Sequence, residues 1–391
     1  MRGCEDVAEK IVIGLTGPFG SGCTYVAKEV LIGKGYEYIS LSELLRKEIG
    51  DNALSRSEMQ NKGNELRLQK GPEYLAELAV DIIQKSDKQK FVVDSIRNTH
   101  EVDALKDVFS SFCMFAIWAS KDVRWSRIQN KYYKNMALFE EDDKRDKDEK
   151  DENGQQITLC YQMADIIILN ETHIPTKQSK SFIDLKSIVE RYLSFIEDRT
   201  PFEPTEMETL MSMAYANSMR SSCSQRKVGA LIIDDFGNVF SSGFNEVPVS
   251  QRSCKIEYGK CYRKFLRDDI RSKLNDELKN EDLSNKVSEI IKNNSKMLDY
   301  CRALHAEENA IVNMARLSVS TDFSKATLYT TTYPCNLCAN KIAQVGIKKI
   351  IYYEPYPQEE AKKILNAHNI KQIPFEGVTY NSYFKFMEVL R

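Results

Sequence analysis

The stretch IVIGLTGPFGSGCTY, residues 11–25, decides the fold of the first half of the chain. Its apolar start predicts a buried strand, and Gly17 and Gly22 then have the G-x-x-x-x-G spacing of a loop whose backbone amides can cradle phosphate. A helical stretch follows and closes at Gly35. A strand, a glycine loop and a helix in this order predict one βαβ unit of a parallel sheet.

The glycine loop lacks the lysine that usually follows its last glycine, because Cys23 stands there. In phosphoryl transfer that lysine neutralises charge on the phosphates. We therefore expect the loop to bind phosphate, with Mg²⁺ at Thr24, but not to catalyse transfer; a plain strand-to-helix turn is the alternative. The residues expected to form this phosphate-binding loop are Gly17, Gly20, Ser21, Gly22, Cys23 and Thr24.

Three further apolar segments predict strands that alternate with helices: FVVDSIRN (91–98), SFCMFAIWAS (111–120) and ADIIILNE (164–171). This order is typical of a doubly wound parallel sheet. The run EEDDKRDKDEKDE (140–152) is almost entirely charged, so we expect it to form a solvated loop or lid segment.

Two prolines interrupt a helical pattern in EDRTPFEPT (197–205). We place the domain boundary there, with residues 1–199 in one domain and residues 200–391 in the other. The second half then predicts a helix at 205–219 and two strands joined by a turn within VGALIIDDFGNVFSSGFN (228–245). The chain is therefore expected to have two α/β domains.

Composition narrows the class of protein further. The chain has 391 residues, 42% of them hydrophobic, and a formal net charge of -2, which favours neither nucleic acid nor a membrane surface as a partner. No apolar stretch approaches the roughly 18 residues that cross a bilayer, and the N-terminus has no secretory signal, so we expect a cytoplasmic protein without membrane contact. Its ten cysteines then indicate metal or redox chemistry rather than disulfides.

The strongest chemical signal is the pair of segments HAE (305–307) and PCNLC (334–338). Zinc prefers four tetrahedral ligands and in catalytic sites leaves one position for water, so His305, Cys335 and Cys338 would supply three. The proline before the first cysteine suits a helix start, which would favour thiolates at both cysteines. A redox C-x-x-C, or a structural zinc site with a fourth protein ligand, is the alternative.

Glu307 lies two residues beyond His305 and is not expected to bind the metal. The combination H-x-E…P-C-x-x-C resembles the signature of zinc deaminases. By this resemblance, the Glu307 carboxylate would take a proton from the attacking water and pass protons to N3 and to the leaving ammonia of a cytosine ring. The sequence therefore indicates hydrolytic deamination by a zinc enzyme.

Three longer segments carry a wider resemblance: SSCSQRKVGALIIDDFGNVFSSGFNEVP (221–248), CRALHAEENAI (301–311) and TTYPCNLCANKIAQVGIKKIIYYEPY (331–356). Together they resemble the deoxycytidylate deaminase family. The resemblance implies a zinc hydrolase that acts on free deoxycytidine nucleotides. It also implies an α/β/α sandwich with a mixed sheet, and a homo-oligomer that is usually a hexamer.

The same resemblance implies a set of substrate-binding residues. Asn245 would contact the sugar or base, Arg226 would lie near the phosphate, and the backbone of Ala306 would contact the amino-group region of the base. Tyr353 and Tyr356 follow the last strand and would line the pocket. For the two tyrosines, ordinary aromatic packing is the alternative.

The sequence departs from the family pattern at one position, and the predicted function depends on this departure. Family members usually carry glycine after the asparagine, whereas Glu246 follows Asn245 here. With a phosphate-loop domain in front, the chain resembles bacterial antiphage deaminases of deoxycytidine triphosphate. This implies deamination of dCTP, dCMP or both, which depletes dCTP during infection. A housekeeping dCMP deaminase, a nucleic-acid editing deaminase and a catalytically idle nucleotide switch are the alternatives.

The first domain resembles nucleoside monophosphate kinases in its glycine loop, its FVVDSIRN segment and its late strand. The resemblance implies a nucleotide-binding domain without kinase activity that regulates the deaminase, with a nucleotide or an RNA as the regulator. Arg97, Arg124 and Arg127 are candidates for phosphate contacts, although exposed arginines often have no specific role.

A second cysteine group comprises Cys254 and Cys261 in SCKIEYGKC, and Cys301 four residues before His305. Relatives in the family can carry a structural zinc in this region, so the resemblance implies a second zinc ion beside the catalytic one. The sequence does not identify a fourth ligand, and buried free cysteines are the alternative.

Overall fold

The computed structural model describes residues 10–50, 56–147, 154–171, 180–198, 200–278, 281–294, 300–316, 322–355 and 358–388. The chain forms two compact units, Met1–Glu208 together with Glu376–Arg391, and Thr209–Phe375. The second unit is thus inserted in the chain between two segments of the first. The end of the chain folds with the N-terminal unit, an arrangement that the sequence pattern does not reveal.

The secondary-structure elements are numbered along the chain. The strands are β1 (Ile11–Thr16), β2 (Glu37–Ser40), β3 (Lys90–Asp94), β4 (Cys113–Trp118), β5 (Ile166–Leu169), β6 (Gly229–Ile233), β7 (Val239–Phe244), β8 (Thr327–Thr332), β9 (Lys349–Glu354), β10 (Lys371–Pro374) and β11 (Gly377–Val378). The helices are α1 (Cys23–Tyr25), α2 (Leu41–Ile49), α3 (Arg56–Lys70), α4 (Tyr74–Lys85), α5 (Thr99–Val108), α6 (Lys121–Ile128), α7 (Met136–Lys147), α8 (Ile157–Met163), α9 (Lys180–Glu197), α10 (Glu206–Ser218), α11 (Cys254–Tyr258), α12 (Tyr262–Leu278), α13 (Glu281–Asn294), α14 (Ala306–Arg316), α15 (Asn336–Val345), α16 (Glu359–Ala367) and α17 (Tyr380–Glu388).

The sheet of the first unit has the strand order β11-β5-β4-β1-β3-β2. The strands from β1 to β5 pair in parallel, which confirms the predicted parallel sheet. The strands β1, β3 and β4 are almost wholly buried, as is typical of a parallel sheet covered on both faces. The short β11 adds an antiparallel strand beside β5, so the sheet as a whole is mixed.

The charged run at 140–152 is not a solvated loop over the part that the structure describes, and that prediction is wrong. Helix α7 takes up residues 140–147, and two of its aspartates are buried. Asp143 pairs with Arg124 at 2.6 Å, and Asp146 pairs with Arg97 at 3.0 Å. Composition alone cannot show that these carboxylates meet arginines in the interior, where pairing offsets the cost of burial. Residues 148–152 lie outside the described ranges.

The sheet of the second unit has the order β10-β9-β8-β6-β7. Strand β6 is antiparallel to β7 and β8, whereas β8, β9 and β10 are parallel, which confirms the predicted mixed sheet. Helix α14 approaches β7 closely at Gly243, where a Cβ would lie 2.2 Å from the carbonyl oxygen of Ala306. The missing side chain at Gly243 thus allows the first turn of α14 to lie against the sheet.

The prolines of the predicted domain boundary lie on the connection between α9 and α10. The division into residues 1–199 and 200–391 stays a prediction. The two compact units are defined by contacts between residues, which do not show where along the chain one activity ends and another begins. Within the described ranges, no helix combines the length and the apolar character that a membrane span requires.

Candidate functional site

Two helix starts in the second unit bring a histidine and two cysteines together. His305 immediately precedes α14, Cys335 is the N-cap of α15, and Cys338 lies in the first turn of α15. The Nδ1 atom of His305 lies 3.3 Å from each of the two sulfur atoms. In the described part of the chain, these three residues alone form a group of potential ligands whose donor atoms all lie within 4.8 Å of one another.

This donor set fits zinc, because two sulfurs and one imidazole nitrogen leave a fourth tetrahedral position for water. Hydrogen bonds with Cys338 and His305 lower the pKa of Cys335 to about 4. The shared hydrogen bond and burial raise the pKa of Cys338 above its ordinary value. The cysteine pair therefore holds one thiolate, which is the form of the side chain that binds metal.

Glu307 lies in the first turn of α14 and is 3% exposed. Its Oε2 atom lies 3.6 Å from the sulfur of Cys338, and its Oε1 atom accepts a hydrogen bond of 3.4 Å from the hydroxyl of Thr330. Burial raises the pKa of this carboxyl. A buried carboxyl with a raised pKa beside a metal site can both accept and donate protons.

The residues predicted to bind substrate fall in different surroundings. Ala306 is buried as the first residue of α14, next to the metal cluster. The amide of Asn245 is tied to the neighbouring loop, because its Oδ1 accepts the N–H of Val228 at 2.7 Å and its Nδ2 donates to the carbonyl of Arg226 at 2.8 Å. Both ends of the Asn245 amide are therefore engaged within the loop.

The side chain of Arg226 forms an ion pair with Glu354, the last residue of β9. Glu354 is a residue that the sequence analysis did not single out, although it lies between the two tyrosines that were. Tyr353 is fully buried and packs edge-on against Tyr215, with ring centroids 4.9 Å apart, in the manner of an ordinary core aromatic. Tyr356 lies outside the described residues.

The second cysteine group lines a small cavity of about 30 Å³. A fourth thiol, Cys223, lines the cavity together with Cys254, Cys261 and Cys301. No three of these sulfurs lie within 4.8 Å of one another, so they share a cavity without forming a closed ligand set. Cys223 belongs to the SSCSQRK segment, which lies far along the chain from the other three thiols. The sequence alone therefore does not indicate that these four thiols line one cavity.

Cys301 also lies next to the predicted catalytic ligand. Contact with His305 lowers the pKa of Cys301, and contacts with Cys301 and Cys335 raise the pKa of His305 to about 10. His305 therefore has thiols of both cysteine groups around its imidazole ring. Metal binding at this histidine would release a proton, because only the neutral imidazole is a ligand.

The glycine loop of the first unit lines a separate cavity of about 540 Å³. Gly22 precedes α1 with a left-handed φ of 105°, and no side chain caps the helix. The loop carbonyl oxygens are engaged by side chains: Arg127 donates to Gly20 at 3.0 Å, and both Arg127 (3.1 Å) and Asn170 (2.8 Å) donate to Ser21. These contacts hold the backbone of the loop in its turn at the edge of the cavity.

Asp94, at the end of β3, adds an acidic group to the glycine loop. Its Oδ2 atom accepts hydrogen bonds from the hydroxyls of Thr24 at 2.6 Å and Tyr38 at 3.0 Å. Its Oδ1 atom is buried without a hydrogen-bond partner. A carboxylate beside a loop threonine is the donor set with which phosphate loops hold Mg²⁺, so these residues fit that ion.

The three candidate arginines have distinct partners. Arg124 is buried in its pair with Asp143, and Arg127 holds the loop carbonyls. Arg97 pairs with Asp146 and also donates to Gln155 at 3.1 Å, and it lines both the loop cavity and an adjoining cavity of about 1100 Å³. Of the three arginines, Arg97 is therefore the one shared by both cavities.

Two family models match different parts of the chain. Residues 204–354 match the model described as the cytidine and deoxycytidylate deaminase zinc-binding region. Residues 16–133 match the model of an AAA domain. The metal cluster lies within the first match, and the glycine loop lies within the second.

Individual relatives match the chain over different lengths. The deoxycytidylate deaminase of Schizosaccharomyces pombe (strain 972) is 26% identical over 377 residues, which cover 95% of this chain and 97% of that protein. The deoxycytidylate deaminase of Mycobacterium phage D29 is 31% identical over 37% of this chain and 91% of that protein. The deoxycytidylate deaminase of Enterobacteria phage T2 is 32% identical over 39% of this chain and 81% of that protein.

Proposed function

Because the chain belongs to the deoxycytidylate deaminase family of zinc-dependent hydrolytic deaminases, we propose that it converts deoxycytidine nucleotides to deoxyuridine nucleotides. The observation that carries the proposal is the position of the Glu307 carboxylate, 3.6 Å from the sulfur of Cys338 and beside the histidine–cysteine cluster. Deamination of dCMP is the activity that the family supports; dCTP as a further substrate is part of our proposal.

In the proposed reaction, His305, Cys335 and Cys338 would hold a zinc ion, which would supply Lewis-acid activation of a water molecule. Glu307 takes a proton from that water as its oxygen attacks C4 of cytosine. The carboxyl gives this proton to N3. It then takes the second proton from the new C4 hydroxyl and passes it to the amino group, so that C4=O forms as the C4–N bond breaks and ammonia leaves. Its burial supports this role, because a raised pKa lets one group act first as base and then as acid.

We propose that the phosphates of the substrate bind to Arg226, whose guanidinium forms an ion pair with Glu354 in this structure. A nucleotide phosphate would compete with this carboxylate for the arginine. Because one arginine can pair with a phosphate of a monophosphate or of a triphosphate, the pair supports both dCMP and dCTP as substrates.

Antiphage depletion of dCTP is the role that we propose for the reaction. It is supported by the fusion to a phosphate-loop domain and by Glu246 in the position after Asn245. The carboxylate of Glu246 accepts hydrogen bonds from the backbone N–H of Ser222 at 2.6 Å and from its hydroxyl at 2.7 Å. Glycine could not make these contacts, so this loop differs from the usual family pattern in its bonding as well as its sequence.

A housekeeping deaminase of dCMP is the second candidate, and a specific observation favours it. The deoxycytidylate deaminase of Schizosaccharomyces pombe matches 95% of this chain, including the N-terminal half. The fusion is therefore compatible with nucleotide supply as well as with defence. Editing of nucleic acid is less well supported, because the formal net charge of -2 offers no general attraction to phosphate backbones.

For the first unit, we propose nucleotide binding without phosphoryl transfer. The glycine loop, its adjacent cavity and the Thr24–Asp94 pair support a phosphate site that can hold Mg²⁺. Cys23 supplies no positive charge, and burial together with the negative charge of Asp94 raises its pKa to about 12. A plain turn is the weaker explanation, because a turn would not need a carboxylate aimed at the loop threonine.

A second zinc ion is proposed at the cysteine cavity, with Cys223 as the fourth ligand to Cys254, Cys261 and Cys301. Four thiols around one small cavity have the composition of a structural zinc site. Zinc binding would require the sulfurs to move closer together. Four free cysteines in a cavity too small for other ligands are the alternative.

The remaining proposals rest on the family alone. We propose a homo-oligomer, a hexamer by family resemblance, in the cytoplasm, with a nucleotide or an RNA as the regulator of the deaminase. Sedimentation of the purified protein tests the oligomer.

The deciding experiment compares substrates. Purified protein is incubated with dCMP, dCDP, dCTP and a cytosine-containing DNA single strand, and uracil is measured in each. Conversion of dCTP at a rate comparable to that of dCMP supports pool depletion, and conversion of dCMP alone supports the housekeeping candidate. Uracil in the single strand alone would contradict both.

A further inference from the structure

The carboxylate of Glu307 has a contact at each of its two oxygen atoms. Its Oε1 atom accepts a hydrogen bond of 3.4 Å from the hydroxyl of Thr330, and its Oε2 atom lies 3.6 Å from the sulfur of Cys338. These two are its side-chain hydrogen-bond partners in the part of the chain that the structure describes. The carboxylate is therefore oriented with Oε2 toward the histidine–cysteine cluster and Oε1 toward the sheet.

The position of Thr330 is fixed by the centre of the second sheet. Thr330 lies in β8, where it pairs with Ala230 of β6 on one side and with Tyr352 of β9 on the other. The residue is fully buried. A hydroxyl on a buried strand with a neighbour on each side has little freedom to move, and a group that orients a reactive carboxylate requires this rigidity.

The same hydroxyl contacts the chain segment that leads to the two cysteines. Its Oγ1 atom lies 3.0 Å from the backbone carbonyl oxygen of Thr332, to which it can donate. Thr332 is the last residue of β8, and Cys335 follows at the start of α15. One hydroxyl therefore lies between the carboxylate of Glu307 and the segment that carries a candidate metal ligand.

The Thr330 hydroxyl suits a partner that both accepts and donates protons, because it has one hydrogen and two lone pairs. It can donate to Glu307 while that residue is a carboxylate. It can also accept a hydrogen bond from Glu307 as a carboxylic acid while it donates to the carbonyl of Thr332. Only the hydroxyl hydrogen has to turn between the two arrangements, so the carboxylate can keep its position through successive proton transfers.

The second contact, from Cys338, cannot orient the carboxylate once this cysteine binds metal. A ligating cysteine is a thiolate, which has no hydrogen to donate to Oε2. Thr330 is then the side-chain donor that orients Glu307 among the described residues. A separation of 3.4 Å is long for a hydrogen bond between two oxygen atoms, but catalytic hydrogen bonds are often long without substrate and shorten in the reacting complex.

We propose that Thr330 is a positioning residue for the deamination reaction, whose hydroxyl holds Oε1 of Glu307 so that Oε2 stays directed toward the histidine–cysteine cluster. The inference rests on the proposed role of Glu307 in deamination. The alternative is a purely structural hydroxyl that only binds the carbonyl of Thr332. The two roles differ in what they predict: loss of a structural hydroxyl lowers stability, whereas loss of a positioning hydroxyl lowers kcat.

The test uses the zinc-loaded full chain with dCMP as the substrate. Thr330→Val keeps the shape of the side chain and removes its hydroxyl. We expect kcat to fall by about 10-fold or more, which is part of the roughly 10² to 10⁴ that an acid–base group contributes. KM should change little, because the hydroxyl acts on the acid–base group and not on substrate binding. Zinc content by elemental analysis should stay that of the unmodified chain.

Two further variants separate positioning from packing. Thr330→Ser keeps the hydroxyl and loses only the methyl group, so it should recover most of kcat. Thr331→Val is the matched control, because it removes a buried hydroxyl of the same strand that accepts the backbone N–H of Gly229 at 3.1 Å. It should keep the kcat of the unmodified chain. Thermal denaturation of all three variants measures the loss of stability separately from the loss of rate.

An unchanged kcat in Thr330→Val would overturn the inference and leave the role of Glu307 intact. A loss of kcat that Thr330→Ser does not recover, that Thr331→Val shares, or that comes with loss of zinc would indicate a structural role and would overturn it as well. No deamination by the unmodified chain would overturn the proposed function and the inference together. If Thr330→Val does not fold, Thr330→Ala, which also lacks the hydroxyl, decides the question against Thr330→Ser.

Discussion

The carboxylate of Glu307 lies 3.6 Å from the sulfur of Cys338, although the two residues are 31 positions apart in the chain. The starts of α14 and α15 face each other across this distance, and His305 completes the group. A buried carboxylate and the sulfur of a candidate metal ligand thus lie in one site. Variants of this site should therefore fall into two groups: those that lose deamination but keep the metal, and those that lose the metal as well.

Replacing Glu307 by alanine should abolish deamination while leaving zinc and fold in place. A general acid–base group typically contributes about 10² to 10⁴ in rate, and this one is assigned successive proton transfers. Turnover of dCMP and zinc content by elemental analysis measure the two effects. Glu360→Ala is the control, since Glu360 is an exposed residue of the same unit that pairs with Lys363 at 2.7 Å and should retain activity. Near-normal turnover in Glu307→Ala would refute the assigned role.

Cys335→Ser should lose both the catalytic zinc and the activity. Its sulfur lies 3.3 Å from the Nδ1 atom of His305, and a hydroxyl is a much poorer zinc ligand than a thiolate. Cys23→Ala, a thiol of the other unit, should keep its full zinc content. Full catalytic zinc in Cys335→Ser would mean that the ligands are assigned wrongly.

The purified protein should contain two zinc ions per chain if the cysteine cavity binds metal. The count should then fall to one in Cys254→Ala and in Cys223→Ala, because a four-thiolate site that loses one ligand binds zinc much more weakly. Elemental analysis gives the count. One zinc per chain in the unmodified protein would dismiss the second site.

Gly22→Val should weaken nucleotide binding at the first unit without changing zinc content. Gly22 has a φ of 105°, and its added side chain would meet Asn170 at 2.5 Å. The matched control is Gly33→Val, where a Cβ would meet nothing within 4 Å. Binding of ATP with Mg²⁺ is measured by calorimetry; identical affinity in both variants would indicate that the loop is only a turn.

Phosphoryl transfer from ATP to any deoxynucleoside monophosphate at ordinary kinase rates would refute the argument from Cys23.

Alkylation of Cys23 should be slow at neutral pH and rise as the pH approaches 12. Burial and the nearby Asp94 raise the pKa of this thiol to about 12, and only the thiolate is the nucleophile. In metal-free protein, Cys335, whose pKa is lowered to about 4, should react at neutral pH. Peptide mass spectrometry after iodoacetamide treatment compares the two rates. Equal rates at pH 7 would contradict the prediction.

The local pattern was sufficient for much of the site. The spacing of H-x-E and P-C-x-x-C predicted the cluster, because helix starts put residues three or four apart on one side, and the structure brings those three side chains together. The strands β1, β3, β4 and β5 of the first sheet and β6 and β7 of the second were also predicted, because their apolar runs are a local property, whereas the short strands β2, β10 and β11 were not. For Tyr353, pocket lining and ordinary packing were both open; the structure shows a fully buried ring packed against Tyr215, because exposure depends on what covers a strand.

Local sequence patterns predicted the candidate metal ligands and the fold class of each half. The contacts between distant groups are visible in the folded structure alone: Cys223 with the other three thiols, Glu354 with Arg226, Asp146 with Arg97, and Val378 with Glu208. The physical reason is that these pairs depend on long-range chain closure and on the burial of charge. Long-range contacts and charge burial produce no regular spacing of residues in the sequence, whereas helices, strands and metal-ligand motifs do.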